Sequence, residues 1–99
     1  MLTEIIQLPE GYYAKFTPDS KGLLVTFRDV PEAIAQGNNI EDATVMATES
    51  LATALETIKE YGQMYPIPSL KEENEIFIPV KFDEIGNVII PSLSPKEEK

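Results

Sequence analysis

The chain has 99 residues, 42% of them hydrophobic, which bounds it to one domain with a single modest core. Seventeen acidic residues against eight basic ones give a formal net charge of −9, so the surface repels phosphate backbones and suits a basic partner better than nucleic acid. Cysteine and histidine are absent, which excludes disulfides, thiolate metal sites and imidazole chemistry.

Residues 1–10 read as a mixed N-terminal lead whose strong apolar pair is Ile5 and Ile6. It lacks the basic start and long apolar centre of a signal peptide, and no run approaches the ~20 apolar residues of a membrane span, so a cytoplasmic protein without a membrane partner is expected. Tyr12 to Phe16 reads as the first strand and Pro18-Asp19-Ser20-Lys21-Gly22 as a hairpin turn. Leu23 to Phe27 is an apolar, β-branched run, ended by Asp29 and Pro31. Ala33 to Gln36 supplies a third extended stretch, completing an antiparallel meander.

Gly37-Asn38-Asn39 is then a turn, with Asn39 the expected N-cap of a helix running to about Glu60. Glu41 and Asp42 fall where the helix dipole favours negative charge. Ala43, Ala47, Ser50, Leu51, Ala54, Leu55, Ile58 and Tyr61 recur at three-and-four spacing, a buried stripe that lies on the sheet, with Met46 at its edge. Phe27 and Val30 are expected beneath this helix. Gly62 stops it in a left-handed cap.

Pro66 and Pro68 force an extended linker, placed at 62–75. Ile76 to Val80 reads as a strand whose Pro79 favours an edge or the strand's end, and Val88 to Ile90 as a hairpin partner for residues 76–82. Residues 91–99 read as a disordered acidic tail. The whole is an α+β protein: a small antiparallel sheet in β-β-β-α-β order with one long helix on one face.

Three groups are candidates for chemistry or binding. Asp19, Asp29 and Asp83 are the aspartates beside strands, but each sits in a turn context, so no catalytic, metal or cofactor site is expected and the chain reads as no enzyme. Asp42, Glu49 and Glu56 recur every seven residues opposite the apolar stripe and form either an acidic rail for a partner or an ordinary solvated face. Tyr65, Pro66, Pro68 and Leu70 form a proline-rich strap, either a partner contact or a stiff spacer. A sheet with one bare face and an exposed edge also implies self-association, with Tyr13, Val25 and Ile78 as contact candidates in a homodimer or higher oligomer.

The succession of a strand, Asp29-Val30-Pro31-Glu32-Ala33, Gln36-Gly37, Ile40-Glu41-Asp42-Ala43, a long helix and Pro66-Ile67-Pro68-Ser69 resembles the HicB family of antitoxins, partners of small HicA-type mRNA-cleaving toxins. Tyr13-Ala14-Lys15-Phe16-Thr17-Pro18-Asp19 is similar to that family's first strand, so the resemblance covers about Gly11 to Ser69 of a domain drawn at 11–90. Phe27, Asp29, Pro31, Gly37 and Asn39 carry the structural signature. The resemblance implies a partial ribonuclease H-like fold, a HicA-like toxin as partner, and a strap that contacts it. Leu23 stands where an aromatic is frequent in the family. The stretch after Ser69 shows no pair of amphipathic helices of the kind many members use to bind an operator, so no direct nucleic-acid binding is expected. The alternative function is an orphan structural module without an active toxin.

Overall fold

The structure, a computed structural model, describes residues 8–90; the expectations for residues 1–7 and for the tail 91–99 lie outside the described residues. Strand β1 (Gly11–Asp19) turns back into β2 (Gly22–Phe27), followed by β3 (Ile34–Gly37), the helix α1 (Ile40–Glu60) and β4 (Glu75–Pro79). The sheet runs β3-β2-β1-β4 with every pair antiparallel. This is the expected α+β order, with the helix against one face.

Local chemistry accounts for the joints. Asp19 pairs with Gly22, so the β1–β2 turn is only Ser20-Lys21 rather than the five residues the sequence suggested. The Asp19 carboxylate tightens it by accepting the Lys21 N–H at 2.9 Å. At the helix start the Asn39 side chain accepts the Asp42 N–H at 2.8 Å, and the Asp42 carboxylate accepts the Asn38 N–H at 2.8 Å. Such reciprocal capping satisfies two otherwise orphaned donors, and loss of the cap costs about 1 kcal/mol. At the other end the Gly62 N–H donates to Lys59 O and the Gln63 N–H to Ile58 O, with Gly62 at φ 75°. That is a Schellman closure, which needs a residue comfortable at positive φ.

Strand alternation decides which side chains meet the helix. Tyr12 and Ala14 of β1, Val25 and Phe27 of β2, Ala35 of β3 and Ile78 of β4 turn inward and are buried with Ala43, Ala47, Leu51, Leu55 and Ile58 of the helix. Val30 and Ala33 close the bottom, so Phe27 and Val30 do lie beneath the helix. The helical alanines let the backbones approach closely. At Gly37 the approach is tightest: a Cβ there would stand 2.3 Å from the Ala43 backbone nitrogen, so no other residue fits without moving the first helical turn.

Four expectations are corrected. Val25 and Ile78, proposed for self-association, are buried between sheet and helix, because their strand parity is that of the core; Tyr13, of the opposite parity, does reach the bare face. Tyr61 is exposed rather than in the stripe, since the Schellman turn ends the helix there. Ser50 is half-buried at the stripe's margin and donates to Ile34 O at 3.0 Å, while Ala52 is buried instead. Val88 to Ile90 meet only the far end of the 76–82 run, beyond β4: a single antiparallel bridge joins Phe82 to Val88, and Ile89 N–H donates to Lys81 O at 2.9 Å. The intervening turn is organised by Asp83, whose carboxylate accepts the N–H groups of Ile85 and Asn87.

Candidate partner-binding surface

The linker between α1 and β4 is extended but fastened to the body at four points. The Asp29 carboxylate accepts both the Ser69 N–H at 2.7 Å and its hydroxyl at 2.6 Å. The Tyr12 hydroxyl rises through the core to donate to Pro66 O at 2.7 Å. Burial, reinforced by the Asp29 charge, pushes this phenol far above its ordinary pKa, so it remains a donor. Tyr65 reaches over the Asp83 turn to donate to Gly86 O at 3.1 Å, its ring 5.2 Å from that of Phe82.

The fourth fastening was not legible from motifs. Arg28, the chain's sole arginine, holds Glu75 with two bonds of 2.7 and 2.8 Å and also donates to Leu70 O at 2.8 Å. Glu75 is the one buried acid among the described residues. The guanidinium, helped by the Glu72 N–H at 2.8 Å, holds its carboxyl down at about 2 from an ordinary 4.5, against the opposing effect of burial. The sequence signal was that single arginine next to the signature aspartate; its partner lies 47 residues away.

The expected site residues therefore separate by role. Asp42 is committed to capping. Glu49 lines a groove of about 550 Å³ with Glu32 and Ile34 along the β3 side of the helix, and Glu56 stands fully out beside Lys59 and Tyr65. Within the strap, Tyr65, Pro66 and Pro68 are only partly exposed and lean on the body, whereas Leu70 points to solvent. On the bare sheet face Tyr13 meets Phe77 edge-on at 5.2 Å. Asp19, Asp29 and Asp83 each serve a separate local partner, Gln36, Ser69 and the Asn87 turn. Among the described residues no three His, Cys, Asp or Glu side chains gather where they could hold a metal ion. No helix of the described residues is long and apolar enough to cross a membrane.

An open-faced antiparallel sheet backed by one helix, with an acidic exterior and a pinned strap, has the build of a small binding domain. Residues 11–83 match the family described as the HicB-like antitoxin of bacterial toxin-antitoxin systems, and the chain belongs to that family. It is 38% identical over 68 residues to Antitoxin HicB 2 of Photorhabdus laumondii, covering 69% of this chain and 49% of that protein. To Antitoxin HicB of Escherichia coli K12 it is 31% identical over 80 residues, covering 80% and 58%. The chain thus spans about half the length of the curated relatives it matches.

Proposed function

We propose that this domain is the toxin-covering part of an antitoxin, binding a small, basic HicA-type mRNA-cleaving toxin in the cytoplasm without chemistry of its own. Family membership supports the antitoxin role, and one observation about the surface supports the kind of partner. Every ion pair among the described residues is made by Arg28, leaving Glu32, Glu49 and Glu56 without a paired cation. A fold that leaves so much of its −9 charge uncompensated gains most from a cationic partner, whose association it also accelerates. An enzyme that cleaves a polyanion has that character.

The test is co-expression with the small basic product of the adjacent gene. Suppression of that product's toxicity and retention of the two proteins together through purification are expected. A neighbour that is harmless alone, or that is not retained, overturns the reading in favour of an orphan module. The Tyr13–Phe77 pair on the bare sheet face supports pairing of two copies there in solution, and the acidic exterior argues against direct binding of nucleic acid.

A further inference from the structure

Exposure along the strap follows a period of three. Met64, Ile67 and Leu70 are 89%, 86% and 89% exposed. The residues between them, Tyr65 with Pro66 and Pro68 with Ser69, are the ones that lean on the body. Three residues per turn is the repeat of a polyproline II helix, in which every third side chain lies along one edge, ~9 Å apart. From Met64 to Leu70 two edges of the strap are therefore packed and the third carries three large apolar side chains in a row. Single exposed apolar residues need no explanation; a contiguous ridge of them does.

The ridge is also rigidly mounted. Tyr12 holds the carbonyl of Pro66, Asp29 holds Ser69, and Arg28 holds the carbonyl of Leu70. Side chains presented from a fixed backbone lose less freedom on docking than those of a loose loop, which is how preorganised segments gain affinity. Charge identifies the occupant: Glu60 precedes the ridge and Glu72 and Glu73 follow it, against Lys71, while Lys59 is directed to Asn87. The groove that carries Glu32 and Glu49 reaches Gln63, the residue before the ridge.

We propose that Met64, Ile67 and Leu70 form a docking ridge that seats in an apolar groove, bordered by lysine or arginine, of the domain's basic protein partner. This rests on the antitoxin reading, and places the binding energy on the outward strap residues rather than on Tyr65, Pro66 and Pro68. The measurement is calorimetric titration of the purified protein with the basic product of the adjacent gene. Wild type is compared with the double variant Met64→Asp, Ile67→Asp and with Thr17→Asp at an exposed sheet position away from the strap. Both substituted ridge positions are almost wholly solvated, so the double variant keeps the wild-type circular dichroism and melting temperature. It is expected to bind about 30-fold more weakly or worse, the scale of an interface hot spot, with Thr17→Asp close to wild type. Wild type that binds together with a double variant of equal affinity overturns the ridge and leaves the antitoxin reading standing. Wild type that does not bind overturns both. A double variant that only dissociates a wild-type homodimer, with unchanged affinity for the partner, makes the occupant a second copy and overturns the assignment.

Discussion

Residues 11–60 and residues 62–90 are held by different forces. The first region closes on an apolar seam in which alternate strand residues meet one stripe of the helix, with Tyr12, Val25, Phe27, Leu51 and Leu55 all buried. The second contributes little to that seam beyond Ile78, with Tyr65, Val80 and Val88 at its margin; β4 is held by its ladder to β1, and the linker before it by side chains reaching across long sequence separations: Asp29 to Ser69, Arg28 to Leu70 and Glu75, Tyr12 to Pro66. Apolar burial is insensitive to pH and direction and sets global stability. Hydrogen-bonded fastenings are directional, contribute modestly each, and choose one geometry for a segment that would otherwise have many. The region that needs a defined surface shape is the one built this way.

That contrast is open to attack in order of expected effect. Leu55→Ala removes a fully buried side chain facing the sheet, and a loss of about 2–5 kcal/mol is expected in chemical denaturation. A loss below 1 kcal/mol would show that the seam is not the principal source of stability. Asp29→Ala deletes both bonds to Ser69 and leaves that N–H and hydroxyl without their acceptor. The expected cost is about 1–3 kcal/mol, concentrated in the strap: hydrogen exchange at the Ser69 N–H accelerates while the helix interior keeps its protection. Equal acceleration in both regions would show that they unfold as one unit.

The third variant, Glu75→Gln, removes the carboxylate of the Arg28 pair and is read on the acid profile. The folded carboxyl titrates at about 2, below its ordinary 4.5, so the pairing with Arg28 stabilises fully above pH 4.5 and is lost as the pH falls toward 2. Wild type is expected to lose melting temperature across that window, and Glu75→Gln to show a shallower slope there. Parallel profiles would mean that other carboxylates govern acid unfolding.

What the residues disclosed in advance follows the same division. The helix limits, the Asn39 cap and the glycine stop rest on contacts within a few residues, and they stood in the sequence as plain chemical signals. The inward face of β4 did not: Ile76, Phe77 and Ile78 are all apolar, and only pairing with β1, Tyr12 opposite Ile78 and Tyr13 opposite Phe77, settles which of them enters the core. Val25 could have been read from Leu23 and Phe27 sharing its parity. The sequence shows the strap as a partner contact or a stiff spacer, but its three-residue period is hidden from helix and strand templates, whose periods are 3.6 and 2. Arg28 and Glu75 were invisible as a pair because nothing local links positions 47 residues apart.

The sheet order has a consequence for the chain as it leaves the ribosome. β1 is an inner strand whose second neighbour is β4, so from Gly11 to Lys15 one side of its backbone waits for residues 75–79, which are made last of the four strands. During that interval the nascent domain exposes a raw strand edge bearing Tyr12 and Tyr13, the kind of template that recruits other chains. Arrival of Glu75, drawn to Arg28 at the foot of the neighbouring strand, closes that edge. Once closed, that edge is covered along its length by residues 75–79.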